Sequence, residues 1–123
     1  MNTYTPIHTP NDTEKLDSII ESIRRGKKIT PVLVIGEQAL TGSHRVRAFE
    51  LAYEKYRNQE PGWEDTEEPV IPVVEIDEET LTAACQVIGA ESVADVVHFD
   101  ELYAAIERVT DSDEIKSAVA DQY

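Results

Sequence analysis

The stretch LTGSHRVRAF, residues 40–49, gathers a glycine, a hydroxyl, an imidazole and two guanidiniums at the predicted start of a helix. Backbone N–H groups at a helix start bind anions, and a guanidinium binds phosphate through two parallel hydrogen bonds. A cation in the first turn of an exposed helix costs about 0.3–1 kcal/mol against the helix dipole, and a bound anion would reverse the sign. The candidate phosphate-binding residues are Gly42, Ser43, His44, Arg45 and Arg47.

Each of these residues taken singly also has a structural explanation. Gly42 fits a tight turn before a helix, and Ser43 is a favoured N-cap in any helix. His44 alone is typical of a surface histidine, and the two arginines could pair with acids of the C-terminal half. The combination therefore predicts an anion site that no single residue predicts.

A candidate catalytic acid comes just before this stretch. Glu37 lies at a predicted turn, where it could act as a general base or as a Mg²⁺ ligand beside a bound triphosphate. Glu50 and Glu54, farther along the helix, are further candidates. A polar turn residue is the simpler interpretation of Glu37. No group of residues predicts a metal site made by the protein alone.

The helix predicted before this stretch follows the opposite charge rule. Residues 11–28, NDTEKLDSIIESIRRGKK, carry apolar residues at i, i+3, i+4 and i+7, which predicts a helix. Asn11 or Asp12 can cap its start, and Gly26 can end it in a left-handed turn. Its acids lie near its start and its basic residues near its end, as the helix dipole favours.

Two β-branched runs predict the strands of a small sheet. ITPVLVIG predicts a buried strand over residues 30–35, and QAL predicts a short antiparallel partner. VIPVVEI predicts a second main strand beside the first, and Pro72 indicates a sheet edge or an irregularity in the strand. Between them we expect a helix over Ser43–Arg57 and then an exposed loop, NQEPGWEDTEEP.

The last third of the chain is predicted to be helical. One helix begins at Asp77 and ends near Gly89, with Cys85 as a small core residue. Apolar residues in register predict a second helix over 102–109 and a weaker last one over 115–119. The predicted fold class is α+β (mixed α/β), a small sheet packed with helices plus a helical C-terminal third.

Charge divides the chain into two unlike halves. The 123 residues have a net charge of −14, but residues 1–60 carry nine Lys and Arg with eight Asp and Glu, whereas residues 61–123 carry two with 17. An anion site therefore belongs in the first half, and the second half disfavours direct binding of duplex DNA. The length predicts a single domain, residues 1–123. The lack of a long apolar run or a signal peptide predicts a cytoplasmic protein with no membrane segment.

The order of the motifs resembles the ParB/sulfiredoxin superfamily. In that family a PxxV strand leads through a turn to G-x-[HR]-R-x-x-A at a helix start, as ITPVLVIGEQAL leads here to GSHRVRAFELA. Upstream, LDSIIESIRRGKKITPVLV is similar to the family segment L-x-x-S-I-x-x-x-G-x-x-x-P-x-x-V, with Gly26 and Pro31 at its glycine and proline. The resemblance covers residues 7–76, the expected ParB/sulfiredoxin-like core, and leaves residues 77–123 as an acidic helical extension.

The resemblance implies that Gly42, Ser43, His44 and Arg45 hold the phosphates of a nucleoside triphosphate, CTP or ATP, together with Mg²⁺. Sulfiredoxins place their reactive cysteine at the position of Ser43, and a serine cannot form the thiosulfinate link, so sulfiredoxin activity is not expected. The family also includes free serine kinases and proteins described as nucleases. Nucleotide hydrolase, phosphotransferase and nuclease activity therefore all stay open.

Two functions of different classes remain as hypotheses. The first is a stand-alone ParB/sulfiredoxin-like domain that binds a nucleoside triphosphate through TGSHRVR, with slow hydrolysis, phosphotransfer or use of the nucleotide as a switch. The second is an acidic protein–protein interaction or nucleic-acid-mimic protein with a degenerate nucleotide site, which engages a basic partner through residues 61–123. Solvation of an acidic surface is the simplest explanation of that charge.

Overall fold

Four short strands and five α-helices make up the part of the chain that the computed structural model describes, residues 4–6 and 9–120. In chain order the elements are β1 (Thr5–Pro6), α1 (Thr13–Arg24), β2 (Val32–Ile35), β3 (Gln38–Ala39), α2 (Ser43–Arg57), β4 (Val73–Glu75), α3 (Glu78–Val87), a 3₁₀ turn (Val93–Asp95), α4 (Phe99–Val109) and α5 (Asp113–Ala120). Ile7, where the expected core begins, and residues 121–123 of the expected extension lie outside the described residues.

The strands form one mixed sheet in the order β1-β3-β2-β4. Strand β2 pairs antiparallel with β3 and parallel with β4, and β1 pairs parallel with β3. The predicted α+β fold is confirmed, and so is the pairing of the two β-branched runs. Pro72 precedes β4 at the edge of the sheet, where its missing N–H interrupts no ladder, and its carbonyl still accepts from the Val32 N–H at 3.0 Å.

The first two helices begin where the sequence predicts, but only one has the expected cap. The Asp12 carboxylate accepts from the Lys15 N–H at 3.1 Å and so caps α1. Gly42, rather than Ser43, is the N-cap of α2, and no side chain caps that helix. The alternative explanation of Ser43 as an N-cap is therefore wrong, because Ser43 already lies in the first turn, where the sequence predicts the helix to begin.

Helices cover both faces of the sheet, because alternate residues of β2 point to opposite sides. Leu33 packs with Leu40 and with the buried residues of α3, α4 and α5. Val32 and Val34 pack on the other side with Val46 and other residues that include Phe49 of α2 and Ile71. Residues 77–120 therefore share a hydrophobic core with the sheet that carries the LTGSHRVRAF stretch.

The three predicted C-terminal helices are present as α3, α4 and α5. Asp77 caps α3 by accepting from the Thr80 N–H at 3.0 Å. Cys85 is a buried core residue as predicted, and burial raises the pKa of its thiol. In residues 4–6 and 9–120, no helix combines the length and the apolar character that crossing a membrane requires.

The segment between α2 and β4 departs from its prediction at two residues. Most of NQEPGWEDTEEP is exposed, but Pro69 is buried and Trp63 is only 4% exposed. The Trp63 carbonyl accepts from the Thr66 hydroxyl at 2.9 Å, which closes a short turn. The prediction of an exposed loop is wrong at Trp63 and Pro69, and at Trp63 the reason is that removing so large an aromatic surface from water outweighs the polarity of its neighbours.

Candidate anion-binding site

The start of α2 is built on a glycine that no other residue can replace without strain. Gly42 has a φ of 69° and a ψ of 42°, in the left-handed region. A Cβ atom there would lie 2.5 Å from Cγ1 of Val32 and 2.7 Å from Nε of Arg45. Both the backbone conformation and the close approach require glycine, so the helix start packs directly against the first residue of β2.

Two backbone donors at this helix start have no acceptor among the described residues. The Val46 N–H donates to the Gly42 carbonyl at 2.9 Å. The N–H groups of Ser43 and His44 contact no acceptor in residues 4–6 and 9–120, and the first turn contains no acidic residue. The positive end of the helix dipole is therefore uncompensated by that part of the protein.

A cavity of about 500 Å³ opens at the same helix start. Its lining within the described residues includes two lysines, one arginine, one histidine and six residues with hydroxyl groups, but no Asp or Glu. In a chain with a net charge of −14, a cavity with only cationic and neutral walls is unusual. Such a cavity attracts anions and offers them many hydrogen-bond donors.

One wall of the cavity is a face of α1. It contains Lys15, Ser18, Ile19 and Ser22, which lie at i, i+3, i+4 and i+7 and so share one side of the helix. The sequence analysis missed this wall. Its signal was the pair of serines one turn apart beside the apolar stripe, positions that a helix needs neither for its core nor for its propensity.

A second wall is the segment that enters β2. Lys28, Ile29 and Thr30 line it, and they follow the end of α1 directly. Lys28 and Lys15 belong to opposite ends of α1, which extends about 18 Å. The cavity therefore runs along the helix, with a cationic side chain toward each end.

Arg45 lines the cavity but uses much of its guanidinium to support the site. One terminal nitrogen, Nη1, donates to the Thr30 carbonyl at 2.7 Å and to the Pro31 carbonyl at 3.0 Å. Its Nε and other terminal nitrogen lie over Gly42, where they would contact any Cβ. Arg45 thus joins the helix start to the residues that enter β2. It contributes its charge to the cavity from this fixed position.

His44 joins the starts of the two helices. Its Nε2 atom accepts from the Asp12 N–H at 3.1 Å. The imidazole also lines the cavity. The histidine therefore positions α1 and α2 relative to each other, and it is not a surface residue without contacts.

Tyr103 of α4 completes the cavity from the C-terminal half. Its hydroxyl donates to the Leu40 carbonyl at 2.8 Å, just before the helix start. Burial raises the pKa of Tyr103 to about 12, with Asp100 adding to the rise and Arg45 opposing it. No sequence pattern could have found this residue, because 63 positions separate it from Leu40.

Two predicted site residues lie away from the cavity. Arg47 points along the exposed side of α2, where its Nη1 contacts Glu50 at 3.0 Å. Glu37 lies in the turn between β2 and β3, after Ile35. Gly42 packs against Val32, so the length of β2, about 10 Å, separates Glu37 from the helix start. The structure brings Gly42 to Arg45 together and leaves Arg47 and Glu37 outside.

No family model, characterised protein or solved structure matches this chain. The ligand class is therefore argued from the geometry and charge of the cavity alone.

The arrangement can bind an anion, but it lacks parts that phosphate chemistry ordinarily uses. No cluster of three or more His, Cys, Asp or Glu that could hold a metal ion occurs in the described residues. Mg²⁺ in proteins is held by one or two carboxylates together with phosphate oxygens and water. The cavity walls described above supply no carboxylate, so a Mg²⁺ ion there would depend on the phosphates of the ligand and on water.

Proposed function

We propose that this protein binds a nucleoside triphosphate, CTP or ATP, with the phosphates in the cavity at the start of α2. The observation that supports this function best is the cavity wall, which within residues 4–6 and 9–120 is cationic and has no carboxylate, in a strongly acidic protein. Phosphate is the anion most often held at a helix start by backbone N–H groups and basic side chains. A volume of about 500 Å³ also lies in the range of small-molecule sites.

The proposed binding groups are of four kinds. Ser43 and His44 offer backbone N–H groups to the phosphates, and Lys15 and Lys28 offer mobile ammonium groups from the walls. Arg45 contributes charge from a fixed position, because the strand carbonyls hold its guanidinium. Hydroxyl groups on several walls can donate to the remaining phosphate oxygens.

The proposed activity is binding, with slow turnover or a switching role as its functional outcome. A general base must lie within hydrogen-bond reach of the water or hydroxyl that it activates. His44 engages its Nε2 with Asp12, and Glu37 lies at the other end of β2, so neither is placed to act on a phosphate at the helix start. The protein would therefore hold a triphosphate for longer than it takes a dedicated hydrolase to cleave one.

Thermal melting with a panel of anions tests this function. The panel contains CTP, ATP, GTP and inorganic tripolyphosphate, each with and without Mg²⁺. A ligand at 100 times its dissociation constant adds about 2.7 kcal/mol to the free energy of unfolding, which raises the melting temperature of a chain of this size by about 8–15 °C. If no member of the panel raises the melting temperature at low ionic strength, the proposed function is wrong.

Three lysine and arginine variants locate the site. Lys15→Gln and Lys28→Gln should each weaken binding by about twofold to fivefold, since each removes one exposed charge that would contact a phosphate. Arg47→Gln is the matched control, because it removes the same charge from the same region of sequence outside the cavity, and it should change affinity by less than about twofold. Equal losses in all three variants would show nonspecific charge attraction instead.

The acidic C-terminal half supports a second candidate, binding of a basic protein partner. All ion pairs between described residues take their acid from Glu21, Glu50 or Glu60, so the carboxylates of residues 61–120 form no ion pair within that part of the chain. Apart from those that accept hydrogen bonds within the chain, such as Asp77 and Glu64, these carboxylates are available to a basic partner or mimic the charge of a nucleic acid. Complexes with a basic protein that survive moderate salt would favour this function, and complexes that dissociate there would reflect screening of nonspecific charge.

A further inference from the structure

Tyr103 is the one wall residue that comes from the acidic half of the chain, within the described residues. It is 6% exposed and sits in the core cluster with Leu33 and Leu40. Its hydroxyl is the end of the side chain that reaches the helix start, because that hydroxyl bonds the Leu40 carbonyl two residues before Gly42. The phenol oxygen therefore lies where the wall from α4 meets the wall from α2.

The hydrogen bond to Leu40 determines what the phenol oxygen can offer a ligand. A tyrosine hydroxyl has one proton to donate and two lone pairs that accept. The proton is engaged by the Leu40 carbonyl at 2.8 Å, and the raised pKa keeps it in place at neutral pH. What remains is an acceptor, and a fully ionised phosphate carries no proton to give it.

The groups of a nucleotide that can donate to such an oxygen are its ribose hydroxyls and the N–H groups of its base. The ribose lies next to the phosphates, which the proposed function places close to Ser43 and His44 at the start of α2. We propose that Tyr103 contacts the bound nucleotide by accepting a hydrogen bond from a ribose hydroxyl, so that the site prefers a ribonucleotide over a nucleotide without those hydroxyls. This inference rests on the proposed function.

A cycle of two proteins and two nucleotides tests the contact. The nucleotide of the CTP and ATP pair that gives the larger melting shift is compared with its 2′,3′-dideoxy form, by isothermal titration with the wild-type protein and with Tyr103→Phe. The wild type should bind the ribonucleotide about threefold to tenfold more tightly than the dideoxy form, as loss of one hydrogen bond predicts. Tyr103→Phe should bind the two forms equally, because the phenylalanine ring keeps the packing and removes the acceptor.

Phe99→Leu is the control for a structural effect. Phe99 lies on α4 with its ring centroid 6.2 Å from that of Tyr103, and it does not line the cavity. This variant should lower the melting temperature but keep the wild-type ratio of the two affinities. A purely structural role of Tyr103 would instead weaken both nucleotides by the same factor in Tyr103→Phe and leave their ratio unchanged.

The direct readout is the environment of the ring itself. With 3-fluorotyrosine incorporated, the ¹⁹F resonance that Tyr103→Phe removes should shift on addition of the ribonucleotide. The resonances of Tyr53 and Tyr56, about 15 Å or more along α2 from the helix start, should stay in place.

The outcomes distinguish the role of Tyr103 from nucleotide binding itself. If no anion in the panel shifts the melting temperature, the proposed function and this inference fail together. If a nucleotide binds but the wild-type protein does not distinguish the dideoxy form, or Tyr103→Phe still distinguishes it, then only the role of Tyr103 is overturned.

Discussion

Two of the helices that line the cavity, α1 and α2, begin in opposite ways. Helix α1 has a capping carboxylate, Asp12, and an acidic residue, Glu14, in its first turn. Helix α2 begins at a left-handed glycine with no side-chain cap, and its first turn carries His44 and Arg45 in place of acids. One helix start is satisfied by its own sequence, whereas the other leaves donors and positive charge facing a cavity.

The contrast teaches that the unusual charge of α2 belongs to the site rather than to helix stability. Asp77 caps α3 in the same way as Asp12 caps α1, and α4, which has no side-chain cap, carries Asp100 and Glu101 in its first turn. The α2 start gives up that stabilisation and gains the close approach of Gly42 to β2. If the difference has this origin, substitutions at the two helix starts should affect stability and binding in opposite proportions.

The largest expected effect is that of Gly42→Ala. A left-handed alanine costs about 1–2 kcal/mol, and the contact with Val32 and Arg45 adds strain, for a total loss of about 2–4 kcal/mol in the free energy of unfolding. Denaturant unfolding would measure the loss. The matched control is Gly36→Ala, since Gly36 has a φ of 57° and open space around its Cβ position, and it should cost about 1 kcal/mol. Equal losses would show that close packing of the α2 start plays no part.

The next effect compares the two helix starts directly. Asp12→Ala should destabilise the protein by about 1 kcal/mol, because it removes the acceptor of the Lys15 N–H, while leaving the backbone bond to His44 in place. Ser43→Ala should change stability by less than about 0.5 kcal/mol, since its hydroxyl caps nothing. A loss at Ser43 as large as that at Asp12 would remove the contrast between the two starts.

The smallest effect concerns the C-terminal end of α1, where charged side chains of the helix pair with one another. Hydrogen bonds from Arg24 and then Arg25 lower the pKa of the Glu21 carboxyl from 4.5 to about 2. Because the pKa is lower in the folded state, this carboxylate stabilises the protein above about pH 4.5, and the stabilisation is lost as the pH falls toward 2.

Glu21→Gln tests that pH dependence. The difference in unfolding free energy between the wild type and the variant should shrink steadily from about pH 5 to pH 2, and it should shrink at high salt because the groups are exposed. Denaturant unfolding at several pH values measures it. A difference that does not vary with pH would mean that the arginines leave this carboxyl unperturbed.

The local part of the fold could be predicted because its signals are local. The caps and apolar stripe of α1, the β-branched runs of β2 and β4, and the limits of α2 all follow from neighbouring residues. Strand β1 could not be predicted, since two residues carry no periodicity and its pairing partner is a distant strand. The burial of Trp63 was missed for a related reason, because composition describes a loop on average and not the one residue that anchors it.

The candidate site could be predicted only where it is contiguous in sequence. Gly42 to Arg45 were identified from their order, and the structure places them in one cavity. Lys15, Lys28 and Tyr103 come from three other parts of the chain, so no spacing rule connects them with the helix start. Glu37 shows the opposite error, since it is near in sequence but at the far end of a strand.

The bond between Tyr103 and Leu40 has a consequence for the order in which the protein assembles. Its partners are 63 residues apart, and closing so long a loop costs entropy that only later contacts repay. While the chain emerges from the ribosome, Leu33 and Leu40 lack their core partners until the C-terminal helices have been synthesised. We therefore expect the helix start to be translated early and to become a finished binding site only after α4 has been made and has docked.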